Sequence, residues 1–278
     1  ITKLGNGILV LSGSNTYLGG VNQNAGVLQI GTNNALGSGT FAMTGGTFSS
    51  DSTTLRTVAN SLSLTGALTF GDVAKTGGLV FSSTASLLGS TTLNVVGASF
   101  VQLGSILSGA FDLTKLGTGS LTLSGANTYS GTTTLLGGTL TLGNASALGS
   151  GSLVISGGSL NAIAGGTALT TTGQQFWNSD FNFLGTGSLN LGAGSVILGA
   201  TRTVTVGGSQ LIISGSVGDG GLGYGLNVAG AGALVLRGAN TYSGSTMLSG
   251  GTLTLGNSLA LSVGSLVLNG GTLNAIAG

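Results

Sequence analysis

The sequence predicts an all-β chain wound as a β-solenoid with about 20 residues per coil, and three observations predict it. Glycine pairs recur at one fixed interval, a coil apart: Gly137-Gly138 returns as Gly157-Gly158, Gly250-Gly251 returns as Gly270-Gly271, and Ala25-Gly26 is followed by Gly45-Gly46. Between these pairs, short runs alternate apolar and hydroxylated residues with the period of two expected of a strand that buries one face. No segment sustains a helical apolar period with charges on an outer face, so helices are not expected.

A longer period frames the coils. "SGANTYSG" at 124–131 returns as "RGANTYSG" at 237–244 and as "SGSNTYLG" at 12–19, which places Tyr17, Tyr129 and Tyr242 at nearly equal intervals. Without gaps, residues 114–165 match 227–278 at about two thirds of positions. The chain therefore reads as about 2.5 repeats: cores at 1–53, 113–165 and 226–278, with spacers at 54–112 and 166–225. The expected domain organisation is one continuous solenoid over 1–278, either a piece of a longer chain or the subunit of a fibre.

Within the second core, "SLTL" begins at Ser120, "TLTL" at Thr139 and "SLNA" at Ser159. Because side chains alternate across a strand, Leu121, Leu140 and Leu160 are expected in the lumen, with Ser120, Thr139 and Ser159 outside. The third core places Leu234, Leu253 and Leu273 at the same inward positions. A second face follows the same rule, with Thr133 and Leu135 inside over Leu153 and Ile155, and Thr134 and Val154 outside. A slip of one residue would invert every side chain, so two agreeing ladders fix the register. Glycine pairs suit the corners, where the backbone must visit left-handed φ values.

The Asn-Thr-Tyr triplets fall between strands, where the coil turns. Asn127, Tyr129, Asn240 and Tyr242 are therefore read as corner residues, Asn bonding local backbone and Tyr laying its ring over the flank of the coil.

Composition excludes most chemistry. The chain has 57 glycines among 278 residues, 4% charged residues, and no Pro, Cys, His or Glu. Without His, no triad of the serine–histidine type exists, and the usual nitrogen and sulfur metal ligands are missing. Only five Asp are present, at 51, 72, 112, 180 and 219, too scattered for paired acid and base or for stacked calcium sites. "GDGGLG" at 218–223 occurs once and reads as a turn. No catalytic residue, cofactor or metal is expected. A net charge of +1 with no basic stripe argues against nucleic acid, and no apolar run approaches a membrane span. In "QQFWNSDFNF" at 174–183, Phe176, Phe181 and Phe183 are read as lumen filler, and Trp177 as either core or the candidate surface contact for a sugar.

"LTKLGTGSLTLSGANTYSGTTTLLGGTLTLGNASALGSG" resembles the passenger-associated transport repeat of bacterial autotransporter passengers and related surface proteins. The resemblance covers the three cores closely, and "LSLTGALTF" and "LIISGSVGDGGL" resemble stretches that connect such repeats. It implies a right-handed parallel β-helix, export to the extracellular face of the bacterial cell, and a role in secretion or as a stalk. The leading expectation for function is a non-catalytic structural stalk or fibre. The alternative is an adhesin or carbohydrate-binding passenger. An ice-binding solenoid is disfavoured, because Thr139 and Thr141 pass to Ser159 and Asn161. Expected partners are further coils, either by end-to-end self-association or by continuation in a longer chain, and a carbohydrate or cell surface.

Overall fold

A computed structural model describes residues 1–276; Ala277 and Gly278, the last positions of the third core, lie outside the described residues. Among those residues there is no helix, and parallel strands stack as a β-solenoid of about 13 turns with a spacing of ~21 residues. Glycine corners keep the strands short. Gly26, Gly138 and Gly251, which end equivalent corners in the three cores, have φ of 68°, 65° and 67°, where a Cβ would strain the backbone.

The chain divides into two compact units, the first from Ile1 to Leu140 and the second starting at Thr141. In the first unit, one face runs from Thr2–Lys3 through Val21–Gln23 and Phe41–Met43 to residues 62–64. The long strands Leu62–Phe70 and Ala85–Val95 then turn a corner without breaking, at Gly66 with φ 83° and with a register shift between Leu87 and Thr91. Their second halves carry a different face onward to Leu113–Leu116 and Thr133–Leu135. A third face stacks Arg56–Val58, Leu79–Phe81, Phe100–Leu103 and Ser120–Leu123.

Coil length differs between core and spacer. Val21 lies beside Phe41 in the first core, whereas in the spacer Leu68 lies beside Leu93, a visibly longer step along the chain. The coil length expected from the sequence thus describes the cores, and the spacers add residues at their corners. The stretch from one copy of the repeat to the next does not divide into a whole number of coils. Consequently Lys3 and Lys115, equivalent in the repeat, sit on different faces of the first unit.

In the lumen of the first unit, four phenylalanines distant in sequence gather. Phe48 has its ring centroid 4.6 Å from Phe41, 6.4 Å from Phe70 and 6.1 Å from Phe81, and the last two are 5.8 Å apart, edge to face. Such pairs add to what burial already contributes.

The second unit is triangular in section, with three strands per coil. One face carries Leu153–Ile155, Gln175–Trp177, Val196–Leu198 and Val217–Gly218. A second runs from Ser159–Ala162 through Phe181–Phe183 and Arg202–Val206 to Leu226–Gly230, Thr246–Leu248 and Leu266–Leu268. The third runs from Thr167–Ala168 through Leu189–Asn190 and Gln210–Ile213 to Ala233–Leu236, Thr252–Leu255 and Thr272–Ala275.

Leu121, Leu140, Leu160, Leu234 and Leu253 are fully buried. Leu273 keeps its register beside Leu253 but is 39% exposed, because among the described residues its strand is paired on one side only. Phe181 and Phe183 are buried, but Phe176 is not lumen filler. Its strand buries Gln175 and Trp177, so alternation turns Phe176 outward.

Candidate functional site

The residues that recur between copies meet at the coil corners, where they turn inward. Tyr129 and Tyr242 are fully buried, which corrects the expectation of a ring lying over the flank. Each arc folds its ring under the turn, and each hydroxyl lies 2.6 Å from the Oγ1 of a threonine that follows it, Thr133 or Thr246. Burial raises both hydroxyl pKa values, opposed by the threonine hydrogen bond.

Asn127 and Asn240 are buried, and their bonds reach adjacent coils rather than the local turn alone. Asn127 Oδ1 accepts the Leu107 N–H at 2.9 Å. Asn240 Oδ1 accepts the Val217 N–H at 2.8 Å, and its Nδ2 donates to the Ala260 carbonyl at 2.5 Å. One side chain thus ties its own coil to the coil before and the coil after. In the first copy, Asn15 Nδ2 and the Tyr17 hydroxyl both donate to the Ala35 carbonyl, at 2.8 and 3.0 Å. A buried amide with both ends bonded avoids the desolvation cost of an unpaired polar group.

Sequence reasoning missed a second inward polar group, the lysine of "TKLG". Lys115 is fully buried and stands in register between Leu93 and Leu135. Its Nζ donates to the carbonyls of Leu116, Gly117 and Gly137, at 2.8, 3.1 and 3.1 Å. Lys3 makes the same pattern with Leu4, Gly5 and Ala25, at 2.9, 2.7 and 3.2 Å. Desolvation pulls the Lys115 ammonium down to about 8. The signal was available: Leu113, Thr114 and Lys115 alternate, and that alternation points Lys115 the same way as Leu113.

The carboxylates cap loops. Asp51 pairs with Arg56 at 2.9 Å, and the hydrogen bond from that guanidinium is the main reason its carboxyl is lowered. Asp72 accepts the N–H groups of Ala74 and Lys75, Asp112 that of Thr132, and Asp180 that of Thr203. Asp219 sits at the base of the 218–225 loop and accepts from the N–H groups of Gly221, Tyr224 and Ser243 and from the Ser243 hydroxyl. Burial opposes its charge, but these donors win and hold the carboxyl well below the usual range. Among the described residues, no group of three or more metal-ligating side chains assembles, and no helix is long and apolar enough to cross a membrane.

Trp177 is fully buried, with its ring 4.9 Å from Phe181, edge to face. It is therefore core and not a surface contact. The aromatic that faces outward on that strand is Phe176, in register with Val154 on one side and Ile197 on the other. Elsewhere on the second unit, a shallow hollow of about 290 Å³ is floored by Ala168, Asn190 and Ile212, and no charged side chain lines it.

The three stretches that carry the inward corners are the ones that a known family shares. The family model of the passenger-associated-transport-repeat matches the chain three times, at residues 1–30, 113–142 and 226–255. No curated protein and no solved structure matches the chain. This repeat family and the β-solenoid fold fit an autotransporter passenger domain. The family is generally non-catalytic, and it points to a secreted, surface-exposed protein.

Proposed function

We propose that the chain is a non-catalytic extracellular structural element of the bacterial surface, a stalk or fibre built from stacked coils. One observation carries this reading. The residues the repeat reproduces, Asn127 with Asn240 and Tyr129 with Tyr242, direct their polar atoms to the protein's own coils or to a threonine of the same corner. A ligand or substrate site would aim such groups at solvent. The reading includes stacking of like coils end to end, within one longer chain or between chains. Alanine at Asn127 and Asn240 tests it: resistance to heat and to protease should fall together, with no separate loss of an activity. Loss of cell binding or of catalysis at unchanged melting temperature would overturn it.

A second reading, adhesion to carbohydrate, is favoured by the outward Phe176 between Val154 and Ile197, a flat apolar strip on which a sugar ring can stack. Phe176→Ala should then abolish retention on a glycan surface at temperatures where the variant is still folded, the half-buried ring costing some stability of its own.

A further inference from the structure

Three corners of the chain are built alike. In two of them an inward lysine near the end of a strand stands beside a glycine that opens the next coil, Lys3 beside Gly26 and Lys115 beside Gly138; in the third, Val228 and Gly251 hold the equivalent positions of the repeat. A Cβ added at Gly26 would lie 2.5 Å from the Lys3 Nζ, and one at Gly138 would lie 2.8 Å from the Lys115 Nζ. The same Cβ would also press on backbone carbonyls, those of Gly5 and Gly7 at the first corner and of Gly117 and Gly119 at the second, so the backbone and φ require glycine there and the amine fits in the space it leaves. The ammonium has three donors, and the corner offers three carbonyls from two successive coils. No carboxylate takes part. Leu93 and Leu135 flank Lys115 from the neighbouring strands, and desolvation lowers its pKa.

The third copy keeps the corner and changes the side chain. A Cβ at Gly251 would press on the carbonyls of Gly230 and Gly232, as one at Gly138 would press on those of Gly117 and Gly119. Val228, buried between Val204 and Leu248, carries no donor to reach them. An amide fills the same role elsewhere: Gln23, in register with Lys3, donates from Nε2 to the carbonyls of Ala25 and Gly26, both at 3.1 Å.

We propose that this corner is an ammonium-binding seat made of backbone carbonyls, which selects a protonated primary amine by geometry without a countercharge, and that the third copy retains the seat although the chain supplies no amine to it. The seat ties one coil to the next wherever an amine fills it. Its ligand class is a primary alkylammonium on an apolar stem. The proposal stands apart from the stalk and adhesin readings.

Two substitutions on one coil test it. Val228→Lys places an amine beside the third corner, and Leu234→Lys places one at another buried position of the same coil. Val228→Lys should melt within a few degrees of the parent, while Leu234→Lys should fall by about 10 °C or more. Equal losses for the two variants would overturn the proposal. Chemical rescue gives a second measurement on the full chain: n-butylammonium should raise the melting temperature of Lys115→Ala and leave the parent unchanged. Equal rescue by tetramethylammonium, which has the charge but no N–H, would show a salt effect and overturn the seat. Should Lys115→Ala not fold, the Val228 and Leu234 comparison decides alone.

Discussion

The second and third copies of the repeat agree at one inward polar site and differ at another. At the Asn-Thr-Tyr corner, both hydroxyls stand 2.6 Å from their threonines, and both asparagines accept the N–H of a residue in the preceding coil. At the strand before it, one copy buries an ammonium and the other a valine, Lys115 against Val228, and the backbone keeps the same glycine corner. Two kinds of buried polar group therefore do different jobs. The asparagine bonds buried backbone groups of the neighbouring coils, so the corner depends on it. The lysine is an addition that an aliphatic residue can replace, and its charge carries a cost of its own.

The largest expected effect concerns what the copies share most deeply. Leu140→Asp and Leu253→Asp each bury an unpaired carboxylate and should each cost several kcal/mol, while Thr139→Asp, facing outward, should cost little. Thermal melts check this, and a large gap between Leu140→Asp and Leu253→Asp would break the equivalence of the copies.

Next comes the titration of Lys115. Its pKa is about 8 in the fold and about 10.4 when unfolded, so between those values the unfolded chain binds more protons and stability rises with pH. The full rise is up to about 3 kcal/mol. Lys115→Met should flatten it, most cleanly between about pH 7.5 and 9.5, below the range in which unfolded tyrosines ionise. A parent whose melting temperature is level across that window would remove the distinction from Val228.

Asn127→Ala and Asn240→Ala should each cost about 1–3 kcal/mol by stranding buried N–H or C=O groups in the neighbouring coils. Similar losses in chemical denaturation would confirm that the corner works alike in both copies. The smallest change is Tyr129→Phe, which removes one hydroxyl from Thr133 and should cost about 1 kcal/mol in the same denaturation measurement.

Much of the lumen was legible because a strand's period of two leaves few alternatives. Once Leu121 and Leu140 were placed inward, Thr139 had to face out, and the same rule carried Leu160, Leu234 and Leu253. The rule was applied unevenly: used on "QFW" it turns Phe176 outward and Trp177 inward, and used on "LTKL" it sends Lys115 inward. For Phe176 the expectation followed residue type, aromatic as filler, where geometry was the stronger constraint; Lys115 carried no expectation, and geometry alone sends it inward. Leu273 obeyed the pattern but not the burial, since burial also needs a neighbouring coil.

By itself the sequence determined the repeat, the solenoid, the coil length of its cores and the inward side of the leucine strands, because these follow from local periodicity and from glycines that only a corner accommodates. Tertiary structure alone decided which distant residues share a lumen. Phe41, Phe48, Phe70 and Phe81 come from different strands and meet once the coils stack, Phe48 in register beside Phe70. It likewise decided that Asn240 bonds coils on both sides and that three carbonyls converge on Lys115. Hydrogen bonds are directional and short in range, so which backbone groups a side chain can reach is fixed only when the coils are stacked.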